Sequence, residues 1–367
     1  MSRRRRLLVV NPEFDRGSGV SAMIERLWAG TDQGRWEARF LDAGCGTRAP
    51  PWMPPGSWAS APLMGRSPWR TVRALLGLRR SHRLRGVDLV HVHHRRLLVW
   101  LQLLRWLGGY RFRLVYTGHS CAAPSRLFRP FLPRAGTSVV GPAVARTLRD
   151  TGYTGPIHVL GNPVPFPPAL PVAIPDPQRV VVVARLDRNK DHACLLRAWA
   201  RLRAAGVAAT LDIVGDGPCG DELRAQVVAA GLVDAVRFHG YTSAVAAHHA
   251  GSLFAVLPTR VEGLPTVVVE AAAAGRATLM TAVDGCRPCV PTDAGLPNLV
   301  PVDDDAALAA ALTRWLADPD ATLAEGARFF RHHRARFHAA IVALRLRRLY
   351  EPPGTVAAAA RRRYPSA

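Results

Sequence analysis

Two carboxylates stand eight positions apart in the stretch Glu-Gly-Leu-Pro-Thr-Val-Val-Val-Glu, residues 262–270. Ionised carboxylates accept hydrogen bonds and so suit the hydroxyls of a sugar or a ribose. A second stretch, Arg185-Leu-Asp-Arg-Asn-Lys190, holds the complementary charge. Arginine offers phosphate a planar fork and lysine a point charge, so Arg185 and Lys190 together suit a diphosphate. Lys190 is the only lysine among 49 basic residues, which makes a compact ammonium here a departure from the chain's own usage. Plainer readings exist for both stretches: an acidic first helical turn favoured by the helix dipole, and a solvated charged turn.

These residues need elements to position them. Leu253–Pro258 is an apolar run of strand length, and Pro265 followed by an alanine-rich segment closing at Gly275 predicts a helix. Glu262 then lies in a strand-to-helix loop, where backbone N–H groups and the positive helix end can bind an anion, and Glu270 lies about a turn inside the helix. Val180–Ala184 predicts a buried strand leading into the Arg185–Lys190 loop, followed by an amphipathic helix with Leu195, Leu196 and Trp199. Alternating strands and helices predict an α/β chain with a parallel, doubly wound sheet, whose ligands sit at the carboxyl ends of the strands.

The Arg-x4-Lys loop, Ile213-Val-Gly215-Asp-Gly-Pro218, Phe238-His-Gly-Tyr241 and Glu-x7-Glu occur in that order. This ordered set resembles the donor half of family-4 glycosyltransferases, also called glycosyl transferases group 1. The resemblance is strong from Val180 to Leu316. It implies the GT-B fold, two Rossmann-like doubly wound domains facing a central cleft. It also implies transfer with retention, from a nucleotide-diphosphate sugar that serves as co-substrate, with no cofactor and no metal. By resemblance, Glu262, His119, Arg185 and Lys190 are the catalytic set. Donor contacts would come from Arg185, Lys190, Gly215, Tyr241 near the base, Glu262 on the sugar hydroxyls, Gly263, Leu264 and Thr266 after it, and Glu270 on the ribose. Gly17 and Gly19, in the turn after the first strand, would form the acceptor loop; the family's two adjacent glycines are here interrupted by Ser18.

The 367 residues suffice for two domains. The expected divisions are residues 1–165 as an acceptor-side domain, 166–178 as a linker, 179–335 as the donor domain, and 336–367 as a helix crossing back to the first domain with a basic tail. Seven prolines between Pro163 and Pro177 suit a linker. The formal charge of +22 is unevenly placed: residues 1–168 hold 26 arginines and 8 acids, residues 169–325 hold 13 basic and 18 acidic residues, and residues 326–367 hold 10 and 1. A basic first half implies an anionic partner. The expectation is a hexose-type sugar donor, an anionic lipid-linked or polysaccharide acceptor of the cell envelope, and peripheral contact with the anionic inner face of the membrane from the cytoplasm. Two rivals are weaker. A nucleotide-sugar epimerase on the same fold needs no separate acceptor and leaves the basic half without a purpose. A nucleic-acid-binding protein would show a docking element or stacking aromatics, and neither is found.

The remaining stretches carry less. Arg3–Arg6 before Leu7–Val10 imitates a signal peptide, but the apolar run is too short and reads as a first strand. No stretch reaches the roughly 18 apolar residues of a membrane span. Six scattered cysteines give no disulfide framework, and Cys286-x-x-Cys289 has no second pair to complete a zinc site. The Pro-rich segment 50–69, with Trp52, Trp58 and Trp69, reads as irregular: a membrane-facing or acceptor loop, or one tucked on the core. His91, His93 and His94 end one predicted strand and His119 another; strand-end packing fits the first three better than a metal. Asp303–Asp305 reads as a helix N-cap. The segment from Arg328 to Tyr350 reads as helical and basic.

Overall fold

The computed structural model describes residues 3–351 apart from 15–17, 45, 47, 66, 81–83, 122–124 and 173–174. The chain forms two compact units, Met1–Pro163 with Ala339–Ala367, and Val164–His338.

The first unit is built on seven parallel strands: β1 (Arg5–Asn11), β2 (Trp36–Asp42), β3 (Trp58–Ser60), β4 (Leu89–Val92), β5 (Arg113–Gly118), β6 (Thr137–Val139) and β7 (His158–Val159), in the order β3-β2-β1-β4-β5-β6-β7. Helices α1 (Gly19–Ala29), α2 (Pro68–Arg80), α3 (Arg95–Gly108) and α4 (Pro142–Asp150) connect them. The central strands bury nearly every side chain, which is why they read as continuous apolar runs rather than alternating ones.

The second unit has six parallel strands: β8 (Asp176–Val183), β9 (Thr210–Val214), β10 (Val236–Gly240), β11 (Ser252–Leu257), β12 (Thr278–Thr281) and β13 (Leu299–Val300), in the order β10-β9-β8-β11-β12-β13. Its helices are α5 (His192–Ala204), α6 (Gly220–Ala229), α7 (Val245–Gly251), α8 (Thr266–Ala273), α9 (Asp305–Ala317) and α10 (Pro319–Phe337). Asp304 caps α9, accepting from the Ala307 N–H at 2.8 Å. In each sheet the strand order reverses once, between β1 and β4 in the first and between β8 and β11 in the second, and such reversals open a crevice at the carboxyl ends.

In three segments the structure alters or adds to the sequence reading. Segment 50–69 is not wholly irregular: Trp58–Ser60 pairs with Phe40–Asp42 as an edge strand, and α2 starts at Pro68. Its aromatics mostly serve the core, Trp52 lying edge-on to Phe40 with ring centres 5.2 Å apart and Met53 being buried, so Trp69 alone of the three tryptophans is strongly exposed. Strand β8 begins at Asp176, inside the expected linker, because Asp176 pairs with Ser252 of β11. The basic terminal helix is two helices. His338 is extended and bridges Val164, closing the second unit, and α11 (Ala339–Tyr350) belongs to the first. There Ala343 meets Gly30 of the segment after α1, and Arg345 donates to the Leu160 carbonyl at 3.2 Å.

Candidate active site

The Arg185–Lys190 loop leaves the carboxyl end of β8, and the loop with Glu262 leaves the carboxyl end of its neighbour β11. The two stretches that carry the chemistry therefore meet at the strand reversal. Lys190 Nζ bonds Glu262 Oε1, and the side chains are 24% and 11% exposed, so the pair is mostly withdrawn from water. Backbone bonds lock the loops together. The Arg260 N–H donates to the Asn189 carbonyl at 2.7 Å, and Thr259 Oγ1 donates to the same oxygen at 3.1 Å. Asp191, buried and in the left-handed region at φ 49°, is held by the Arg260 guanidinium at 2.9 Å. A residue other than glycine at such a φ is costly, and the ion pair is what holds it there.

Beneath Glu262 the chain after β12 passes close by. A Cβ on Gly285 would lie 2.2 Å from the Glu262 carbonyl oxygen, so only glycine fits. Gly215 plays the same part on the other side. Its Cβ would lie 2.0 Å from the Ala184 carbonyl, its φ is 139°, and its N–H donates to Gly240 at 2.8 Å. Gly215 thus seats the β9 loop directly against the start of the Arg185 loop. Arg185 itself is exposed.

Gly263 and Leu264 are buried, and Thr266 opens α8, whose N-terminus has no side-chain cap. An uncapped helix end leaves its dipole available to an anion. Glu270, half-buried, lies in the second turn of α8, and Tyr241, half-exposed, follows β10 two strands away from β8. Both belong to segments at the carboxyl edge of this sheet or just beyond it.

In the first unit, His119 follows β5 and its Nε2 lies 3.0 Å from Nδ1 of His93, which follows β4. One ring must donate and the other accept, so the accepting ring is neutral. Burial, then His94, hold His119 down at about 4, and burial, then His91 and His119, hold His93 well below its usual value. These rings line a cavity of about 180 Å³ with His94, Arg95 and Tyr116. Below them His91 joins Tyr350 of α11 and Thr117, each at 2.7 Å, and Thr117 joins Ser138 at 2.7 Å, a buried polar chain across the sheet. Gly19 opens α1 and is exposed, with Ser18 as the N-cap, and Gly17 lies outside the described residues.

Sequence reasoning missed Asn189, Asp191, Thr259, Arg260, Gly285 and His93. Arg260 and Asp191 flank the recognised motifs and were readable as charges, but their pairing was not. Two acidic clusters among the described residues have metal-like spacing, Asp212–His239–His248 and Asp191–Cys194–Asp303. An arginine holds acids of each: Arg179 on Asp212, and Arg260 on Asp191 and Asp303. Cys286 and Cys289 are buried free thiols, and burial followed by Glu262 pushes Cys289 up to about 12, which makes it inert.

Comparison with known proteins agrees with this geometry. The family profile described as "Glycosyltransferase Family 4" matches residues 36–166, and that described as "Glycosyl transferases group 1" matches residues 177–318. The lipopolysaccharide core biosynthesis glycosyltransferase LpsD of Rhizobium meliloti is 33% identical over 49% of this chain. The match covers 53% of LpsD, so the chain spans about half the length of that curated relative. The structure of HepE from Anabaena, in complex with UDP and glucose, is 18% identical and superposes with a TM-score of 0.75, covering 94% of this chain and 98% of that one. Sucrose-phosphate synthase from Thermosynechococcus elongatus is 21% identical with a TM-score of 0.77, covering 97% and 100%. Two parallel sheets, each reversing at one strand pair, and two profiles that divide the chain between them lead to one conclusion: the chain belongs to the group 1, family 4 glycosyltransferases, with the GT-B fold.

Proposed function

We propose that this chain moves a hexose-type sugar, with retention, from a nucleotide-diphosphate sugar to an anionic envelope glycolipid or polysaccharide, without a metal. The observation that carries the reading is the Lys190–Glu262 pair at the sheet reversal. It joins the cation suited to a diphosphate and the carboxylate suited to sugar hydroxyls at one point. Arg185, Lys190 and the uncapped end of α8 would take the diphosphate and stabilise it as it leaves, the electrostatic contribution that dominates such catalysis. Glu262 would then exchange part of its bond to Lys190 for the sugar hydroxyls, and Glu270 would hold the ribose. The motifs of the sequence supply no second carboxylate matched to Glu262 as a double-displacement nucleophile would be, which favours attack by the acceptor on the face the leaving group departs from. His119, neutral at pH 7, can hydrogen-bond a sugar hydroxyl without bringing charge.

The acceptor reading rests on charge and kinship. Residues 1–168 carry 26 arginines against 8 acids, and LpsD is named for lipopolysaccharide core biosynthesis. No helix among the described residues is long and apolar enough to cross a membrane, so contact would be peripheral, by surface attraction of about 1 kcal/mol per basic residue near an anionic bilayer. The test is a thermal-shift screen with UDP, GDP and their sugars, then the anomeric configuration of the product by NMR. A stabilising nucleotide and a retained anomer are expected; an inverted anomer would overturn the mechanism. Co-sedimentation with anionic vesicles should fade as salt rises, by screening, and equal binding to neutral vesicles would refute the membrane reading.

A further inference from the structure

A cavity of about 880 Å³ opens in the first unit at the edge where strands begin rather than end. Arg113 and Leu114 at the start of β5, Gly136 just before β6, and the loop between α4 and β7 form its floor. One wall is α3, through Gln102, Arg105 and Trp106, and the rim carries Arg129 and Arg134. The length of β5 separates it from His119, so it is not part of the site described above.

Its chemistry is one-sided. Among the described residues, four arginines line it and no carboxylate does. Three of the lining residues each also hold a polar atom that is shielded from water and has no hydrogen-bond partner: Nε of Arg105, Nε of Arg113 and Oε1 of Gln102. Gln102 as a whole is only 4% exposed. Arg113 has spent its other nitrogens, Nη1 donating to the carbonyls of Tyr350 at 2.9 Å and Glu351 at 2.7 Å and Nη2 to that of Leu349. Buried polar atoms are ordinarily satisfied, and three orphans on side chains of one cavity's lining leave hydrogen-bonding capacity that a ligand there reaches once those side chains turn. Two of the three are N–H donors, and the Gln102 carboxamide becomes a donor by turning over, since its two ends are nearly isosteric. Trp106, half-exposed, stacks on Phe131 with ring centres 5.6 Å apart, and with Pro130 and Pro133 it gives the cavity an apolar lip.

We propose that this cavity is a second anion site, built for a phosphate or diphosphate group. The fork geometry of several guanidiniums matches phosphate oxygens, and the apolar lip suits a phosphate borne on a lipid or another apolar body. The lipid source rests on the membrane reading above; the anion site does not.

The test is equilibrium dialysis of labelled inorganic pyrophosphate against the full chain carrying Arg185→Gln and Lys190→Ala, which silences the diphosphate loops of the second unit. One saturable site is expected. Adding Arg129→Gln and Arg134→Gln, both exposed and on a loop, should weaken it by about tenfold or more, as should adding Arg105→Gln. Thermal unfolding of each variant checks that the fold persists. No saturable site, or unchanged affinity in both folded variants, overturns the proposal. The same substitutions in the otherwise natural chain, tested on phosphatidylcholine vesicles with and without phosphatidylglycerol, identify the source. A parallel loss of vesicle binding assigns a lipid phosphate; loss of pyrophosphate alone assigns a soluble phosphate ester. UDP affinity of the natural chain reports on the donor site separately, since none of these three arginines belongs to it.

Discussion

Replacing Lys190 by Ala tests two roles that one side chain can combine. The Lys190–Glu262 pair is mostly buried, so removing the ammonium leaves Glu262 without its cation. Leaving a buried group unsatisfied costs roughly 1–3 kcal/mol of stability. A charge-assisted contact to a diphosphate is worth roughly 1.5–3 kcal/mol, about tenfold to a hundredfold or more in nucleotide affinity and turnover. A double-mutant cycle with Glu262→Gln separates the two. In the Glu262→Gln background there is no buried anion to abandon, so Lys190→Ala should lose most of its stability cost and keep its affinity cost. Urea unfolding reads the first and calorimetry with a nucleotide diphosphate reads the second. If the double variant binds nucleotide as tightly as Glu262→Gln alone, Lys190 is only a strut and the diphosphate assignment fails.

The two glutamates should behave differently. Glu270→Gln should chiefly weaken nucleotide binding, and Glu262→Gln should spare it and lower turnover; normal binding and turnover in both would place the pocket elsewhere. Arg185→Lys should lower activity about tenfold despite the retained charge, because a point charge cannot replace the fork, and a wild-type rate would refute that. Lys190→Arg should also fail, by crowding the niche beside Glu262 and Gly285, although the chain uses arginine everywhere else. Acid should destabilise the fold. Burial holds His91 and His249 at about 3 and His119 at about 4, so below pH 6.5 the unfolded chain binds protons that the folded chain refuses, and stability falls as pH falls from 6.5 towards 4. Each such histidine adds up to about 1.4 kcal/mol per pH unit to that slope. His249 is 1% exposed with both ring nitrogens unpartnered, so His249→Leu should flatten the slope of unfolding free energy against pH, and an unchanged slope would show that its ring is protonated in the folded state.

Much of this fold was legible because buried parallel strands leave a plain signature. Val180–Ala184 and Leu253–Pro258 are unbroken apolar runs, and the charged loops stand where those runs stop. What joins the loops was not legible. Lys190 and Glu262 are 72 positions apart, and their meeting depends on β8 and β11 being neighbours, a fact of strand order that no local pattern records. The strained Asp191 could not be read either, since its backbone is set by Arg260 across the same boundary. Composition at segment 50–69 suggested an irregular loop and left open whether it was exposed or tucked on the core. Trp52 fills the gap between Phe14 and Phe40, and a three-residue strand needs too few residues to show a period. The basic cavity was hidden for a related reason: its arginines come from α3, β5 and two loops, so no run of sequence holds more than part of it.

The single lysine is the clearest link between composition and site. Wherever a cation only has to be charged, this chain uses arginine, in solvated pairs such as Arg197 with Asp303 and Asp305 or Arg331 with Asp293. At position 190 the cation must do more. It has to reach Glu262 across two loops whose backbones are already bonded to each other and closely approached by the chain passing at Gly285, leaving little room around the carboxylate. A guanidinium there would bring a rigid plane and five donors that the niche does not answer, whereas an ammonium on a flexible stem can turn from the carboxylate to a phosphate oxygen without moving its backbone. The same mobility explains why the pair sits at the strand reversal and not deeper in the core. A cation locked in a fully enclosed pair would hold the loops but could not be shared with a ligand, while one left 24% exposed can do both.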